Sequence, residues 1–264
     1  MSNKRKKVTS PQWTLSIIVS IVMVARFLRG DYYSVFLCIL TLVLFNVPHI
    51  ASKIFNVFIP RELEVVILLF IFSDEILGEI GNFYNRIPWW DSMLHTINGF
   101  LMAAIGFAMI NILNNTPKFH FNLSPVFVTV VAFCFSMTIG IAWEFFEYSM
   151  DVFAETDMQK DDIIKIVSSV ELNPQGENDP VILEDIEKTV IFYNNGQNQY
   201  VIENGYLDVG LRDTMKDLIV NYIGAIVFSV IGYFYLVGRN KGIFASKFIP
   251  QYIKSSKHST TKDK

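Results

Sequence analysis

Cysteine is nearly absent: Cys38 and Cys134 are the only two in 264 residues. Both lie inside apolar blocks, so a disulfide framework is excluded and both are expected to behave as small buried apolar residues. Charge is also scarce, at 18% of residues, and histidine scarcer still, with four. No Ser-His-Asp spacing, Gly-rich phosphate loop or Cys/His zinc signature is present, so no familiar catalytic motif declares itself. Basic residues are too few among the acidic ones to suit a phosphatase built on Lys, Arg and His. The net charge of -3 carries little information, because the two signs are segregated along the chain.

What the chain has in abundance is apolar sequence: 52% of its residues, 23 of them Phe, with a mean hydropathy of +0.36. These residues fall into blocks that approach or exceed the length of a bilayer crossing, about 20 residues for a helix. A soluble enzyme, a disordered protein and a secreted disulfide scaffold are thereby set aside. The pattern predicts an all-α membrane protein of about six transmembrane helices in a bundle, with a small extracytoplasmic α/β insert containing a β-hairpin. The crossings run from Trp13 to about Arg29, Tyr32 to Ile50, Leu63 to Ile80, Asp91 to Leu113, Ser124 to Asp151 and Asp213 to Leu236. The third has the weakest hydropathy, because Asp74, Glu75 and Glu79 interrupt it. Gly30-Asp31, Ile59-Pro60, Ile87-Pro88 and Asn114-Asn115-Thr116-Pro117 punctuate the joins. The first block follows Lys4, Arg5, Lys6 and Lys7 in the manner of a signal peptide. It lacks a small-x-small cleavage site before Arg26, which favours a retained span.

Lysine and arginine near the span ends set orientation. The basic N-terminus (1–12) and the basic tail (239–264) lie on one face if the span number is even. The rule assigns that face to the cytoplasm of a bacterial plasma membrane; Arg26, Arg29, Arg86 and Lys216 weigh against it. The domain plan is then a cytoplasmic N-terminus, helices one to five over 13–153, an extracytoplasmic insert over 154–212, the sixth helix over 213–238 and a cytoplasmic tail. The insert carries twelve acids and four bases, a net -8. Within it, Thr189–Tyr193 and Tyr200–Ile202 flank Asn194-Asn-Gly-Gln-Asn-Gln199 as a hairpin, and Asp161 to Glu171 shows a weak helical pattern.

Nine of the thirteen remaining acids lie in or at the end of a span: Asp74, Glu75, Glu79, Asp91, Glu144, Glu147, Asp151, Asp213 and Asp217. Alternating helix direction maps all nine, with His95 and Asn221, to the outer half of the membrane. Asp91 and His95 are four residues apart and share a helix face, as do Glu144, Glu147 and Asp151, Asp213, Asp217 and Asn221, and Glu75 and Glu79. A charged group facing lipid costs roughly 2.5–3.5 kcal/mol on insertion scales, so these stripes are expected to face one another around a hydrated pocket. Shared protons, cationic partners or a bound cation must then relieve the repulsion between carboxylates. Carboxylate oxygens with one imidazole suit a divalent ion such as Mg, Mn, Ca or Zn, with Asp91, His95, Glu144, Glu147, Asp151, Asp213 and Asp217 as the candidate ligands. His95, Glu144 and Glu147 are equally candidates for acid/base catalysis. Asp74, Glu75, Glu79 and Asn221 would line the same pocket. The plainer reading makes Asp91, Asp151 and Asp213 helix caps or interface markers, Trp89, Trp90, Trp143 and Tyr148 interface anchors, and Gly99, Gly106, Gly140 and Gly224 close-packing positions.

Asp91-Ser-Met-Leu-His95, Trp143-Glu144-Phe-Phe-Glu147, Asp157-Met-Gln159 and Gly210-Leu-Arg-Asp213-Thr-Met-Lys-Asp217, followed by Asn221 and Gly224-Ala225, resemble motifs of the uncharacterised bacterial membrane proteins of the YjdF type. The last of them is also similar to the closing motif of VanZ-like proteins. The similarity covers roughly residues 62–235, and the insert between Gln159 and Gly210 and the cation Arg212 depart from it. The resemblance implies a polytopic membrane protein and no established reaction. Three functions fit the residues: an enzyme acting on a lipid or envelope precursor, a cation- or proton-coupled transporter or sensor, and an envelope scaffold without catalysis. Membrane lipids and a lipid-linked or envelope substrate are the expected partners, with no nucleic acid.

Overall fold

A computed structural model describes residues 11–54, 57–115, 123–238, 246–249 and 251–252. Lys4 to Lys7 and most of the basic tail, on which the orientation argument draws, lie outside the described residues. Among the described residues, five helical segments are long and apolar enough to cross a membrane: Pro11–Leu28, Tyr32–Ile54, Trp90–Asn114, Pro125–Ala154 and Leu211–Val237. The chain divides into two compact units, one of residues 1–140 with 220–264 and one of residues 141–219.

The first unit opens with α1 (Pro11–Leu28), a turn at Gly30, and α2 (Tyr32–Leu44), whose N-cap Asp31 accepts from the Ser34 amide. Two turn residues separate α2 from α3 (Val47–Ile54). Next come the short strand β1 (Val57–Phe58) and α4 (Arg61–Phe72). Here the expected third crossing departs from a plain helix. After twelve residues α4 widens into a π-helical segment, Ser73–Ile80, in which the Gly81 amide donates to the Ile76 carbonyl five residues back at 2.9 Å. Asp74, Glu75 and Glu79 all sit on this widened stretch, and such segments recur at functional positions of helices. α5 (Phe83–Arg86) and α6 (Trp90–Asn115) follow.

Two apolar clusters hold this unit together. One joins Val19, Cys38, Phe45, Leu68 and Ile76 from α1, α2, α4 and the π segment. The other joins Ala103, Ala104 and Phe107 of α6 to Val128, Ala132, Ala225 and Phe228, on helices α7 (Pro125–Ala154) and α8 (Leu211–Val237). The second cluster includes four alanines, which permit the close helix approach that packing in lipid favours. The crossing of α6 and α8 shows why: a Cβ on Gly99 would lie 2.1 Å from the Asn221 carbonyl oxygen, and one on Gly224 would lie 2.0 Å from that of Thr96. Cβ atoms at Gly106 and Gly140 would likewise collide with Phe135 and Asn221, so all four glycines occupy close-packing positions. Cys38 is buried as expected, but Cys134 is exposed, because its position on α7 points away from the cluster that Ala132 enters. Ile249 is fully buried in the same cluster, Lys247 pairs with Glu62 at 3.6 Å, and Gln251–Tyr252 pairs antiparallel with β1.

The second unit contains the end of α7, the start of α8 and the segment between them. That segment forms antiparallel two-stranded ladders: β2 (Ile163–Ile164) with β7 (Tyr206–Leu207), β3 (Val167–Ser169) with β4 (Val181–Leu183), and β5 (Lys188–Tyr193) with β6 (Asn198–Glu203). The hairpin β5–β6 turns through Asn194, Asn195 and Gly196, all at positive φ, which Asn and Gly tolerate best. The weak helical pattern over Asp161–Glu171 is not realised as an α-helix. Ile163, Ile164 and Val167 are β-branched and find strand partners, and only a short 3-10 turn, Val170–Leu172, remains helical.

Candidate functional site

In the first unit the candidate residues gather at the N-terminal end of α6. Asp91 lies in its first turn, where the helix dipole favours an acid. One turn on, the buried His95 places Nε2 3.6 Å from Asp91 Oδ1, as their i,i+4 spacing predicts. The next turns are tied to α7 and α8 by polar side chains. Asn98 Nδ2 donates to Asn221 Oδ1 at 3.3 Å, and the Ser136 hydroxyl donates to the Gly99 carbonyl at 2.7 Å. Buried amide and hydroxyl groups of this kind bind helices to each other where water is scarce. Asn98 and Ser136 carry no catalytic signature in sequence, and only packing reveals them.

A second polar group in this unit lies on the π segment. The Tyr84 hydroxyl donates to Asp74 Oδ1. Its ring lies so close to Gly78 that a Cβ there would come within 2.4 Å of it, so glycine is what lets Tyr84 reach the carboxylate. Asp74 and Glu75 are half-buried, whereas Glu79 is exposed and so stands apart from the buried set. The neighbouring Phe83 packs edge-on against Trp90 at 4.8 Å. Trp90, read from sequence as an interface anchor, is buried for that reason, while Trp89 beside it is exposed. The Arg26 guanidinium caps the segment's end through the Ile80 carbonyl at 3.0 Å and pairs with Asp31 at 3.3 Å. Hydrogen bonds from Ser34, and then Arg26, hold the Asp31 carboxyl below the usual carboxylate range.

In the second unit Glu144 and Glu147 are buried on one face of α7, and Asp213 and Asp217 on one face of α8. Trp143 Nε1 donates to Glu147 Oε1 at 2.9 Å, so this tryptophan orients a candidate ligand as well as sitting at the expected belt position. Asp151 does something different. Its Oδ1 accepts from the Met158 amide at 2.6 Å and the Thr156 hydroxyl at 2.8 Å, and its Oδ2 accepts from the Gln159 amide at 2.8 Å. Asp213 Oδ2 takes the next amide, Lys160, at 2.9 Å, and its Oδ1 pairs with Lys216 Nζ at 3.3 Å. Asp208 accepts the Asp162 amide at 2.8 Å and the Arg212 amide at 3.0 Å. Gln159 Nε2 closes the arrangement on Thr214 Oγ1 at 2.5 Å. Three carboxylates thus clasp the loop 156–162 by its backbone, which accounts structurally for the Asp157-Met-Gln159 and Gly210–Asp213 motifs. Of the residues expected to bind a metal, Asp151 and Asp213 are therefore engaged in folding the loop. Asp208 was missed because it lies within the acidic insert, where one carboxylate looks like any other. Burial, followed by the charges of Asp157, Asp208 and Asp151, raises the Asp161 carboxyl above its ordinary value.

The uncharacterised protein of Thermotoga maritima is 25% identical over 104 residues, covering 39% of this chain and 52% of that protein. The chain thus aligns with about half of that relative's length. No solved structure matches. Residues 11–165 match a family model described as a predicted membrane protein (DUF2238), a span that contains His95, Glu144, Glu147 and Asp151 and stops before Asp213 and Asp217. That match covers more than half of the sequence, and the chain belongs to the DUF2238 family of membrane proteins.

Proposed function

We propose that the protein is a multi-pass protein of the bacterial plasma membrane whose acidic and histidine side chains form a site in the outer half of the bilayer, both termini being cytoplasmic. At that site His95, Glu144 and Glu147 bind a divalent cation or act as acid/base groups on a lipid or envelope precursor. Asp91 and Asp217 assist, and Asn221 lines the site. One observation carries the reading: exposure is 7% for His95, 4% for Glu144, 9% for Glu147, and 1% for Asp217 and Asn221. Ionisable groups on apolar helices are costly, and retaining this many at low exposure is the usual mark of a functional polar site. The helical stripes provide the geometry: each places its polar residues one turn apart on a single face. The distant similarity of the Gly210–Asp217 motif to VanZ-like proteins agrees with action at the cell envelope.

The test is metal analysis of the purified full-length protein. A stoichiometric divalent ion in the wild type, lost in Glu144→Gln and in His95→Ala with melting behaviour retained, supports the site. Metal-free wild type whose phenotype survives both substitutions refutes it. Turnover of a labelled lipid without ion flux in liposomes then selects the enzyme, and flux without turnover selects a cation- or proton-coupled transporter.

A further inference from the structure

The module between Ile163 and Leu207 is built on a paired root, since its first and last strands face each other at Ile163↔Leu207. It contains no buried apolar cluster of its own: Ile182, Leu183, Ile191, Phe192, Tyr193 and Tyr200 are all exposed, Phe192 at 66% and Tyr200 at 65%. Its longest ladder, β5–β6, is paired along its whole length from Lys188↔Glu203 to Tyr193↔Asn198, and among the described residues no third strand joins either side. Alternation puts Val190, Phe192 and Val201 on one face and Ile191, Tyr193, Tyr200 and Ile202 on the other. An isolated two-stranded ribbon is marginal in water, and an open apolar edge is a template for another strand.

We propose that the β5–β6 hairpin docks an extended segment of a partner protein in which basic and apolar residues alternate, the segment adding as a third strand. This proposal is independent of the reading of the intramembrane site. Charge selects the occupant. The module 163–207 carries seven acids and two bases, a net -5, with Glu184, Asp185 and Glu187 leading into β5 and Glu203 ending β6. A second copy would bring the same charge to the same edge, and an anionic lipid surface would be repelled in the same way. A basic strand is attracted by the acidic surround, while main-chain hydrogen bonds and the exposed Phe192, Ile191 and Tyr200 supply affinity.

The experiment uses the full chain in zwitterionic lipid nanodiscs, titrated with a synthetic peptide of alternating Lys and Val. An alternating Glu and Val peptide is the control. The Lys–Val peptide is expected to bind with an affinity that falls as salt rises, and to protect amides along one edge, either 188–193 or 198–203, from exchange. Phe192→Ser with Tyr200→Ser should weaken it at least tenfold. Glu187→Lys with Glu203→Lys, which leaves the apolar face intact but lowers the module's net charge from -5 to -1, should remove most of the preference for the Lys–Val peptide and its salt dependence. Equal binding of both peptides, or of neither, overturns the proposal. So does self-association of the wild type that Phe192→Ser abolishes, which would make the occupant a second copy. Protection of the hairpin by anionic nanodiscs without peptide overturns it in favour of a lipid surface.

Discussion

Replacing Asp151 with Asn separates a carboxylate that folds a loop from one that holds an ion. In the wild type Asp151 accepts three hydrogen bonds, with Oδ1 taking the Thr156 hydroxyl and Met158 amide and Oδ2 taking the Gln159 amide. Asparagine can keep the Oδ1 pair, but it presents an NH2 group to the Gln159 N–H, so one acceptor is lost and two donors oppose each other. Hydrogen bonds to charged groups contribute about 1.5–3 kcal/mol. Asp151 is half-buried, so water replaces part of the lost bond and the lower end of that range applies. About 1.5 kcal/mol corresponds to roughly a tenfold rise in local opening. Amide exchange resolved at single residues, measured on the full protein in detergent, should therefore quicken about tenfold at Gln159. Lys160, whose amide is held by Asp213 Oδ2, should change little. Unchanged exchange at Gln159 would refute the clasp.

Three further outcomes follow from the same geometry. Gly224→Ala must push its Cβ at least 1 Å away from the Thr96 carbonyl oxygen, now 2.0 Å from that position. Because backbone yields poorly, a destabilisation of about 1–3 kcal/mol is expected as a lower melting temperature in detergent; a wild-type melt would contradict the crossing of α6 and α8. Trp143→Phe removes the donor to Glu147 Oε1 and should cost about 1–2 kcal/mol in the same assay, more than Trp89→Phe, whose side chain makes no hydrogen bond among the described residues. Asp161 has a raised carboxyl pKa, so the folded protein holds its proton more tightly than the unfolded chain does, and stability falls as pH rises through that folded value. Asp161→Asn should thus raise the melting temperature slightly at neutral pH, with the difference vanishing at acid pH below the ordinary carboxylate range. A difference that persists there would refute the assignment.

Much of the burial pattern of the candidate residues was legible in the primary structure. The i,i+4 pairing of Asp91 with His95 and the burial of Glu144, Glu147, Asp217 and Asn221 follow from helical spacing and from the penalty on polar groups facing lipid. What escaped were residues whose roles depend on another segment: Tyr84 reaching Asp74, Asn98 reaching Asn221, and Asp208 holding the Asp162 amide. Each pairing spans a stretch of chain whose path no local pattern reports.

Local chemistry alone decided the membrane character, the positions of the long helices and the hairpin turn at Asn194–Gly196, because hydropathy, periodicity and φ preference act over a few turns of chain. Tertiary structure alone decided the widening of α4 into a π segment, the engagement of Asp151 and Asp213 with loop amides, and the exposure of Cys134 and Glu79. These depend on which neighbour a side chain meets, and several competing partners are equally available to it until the helices pack.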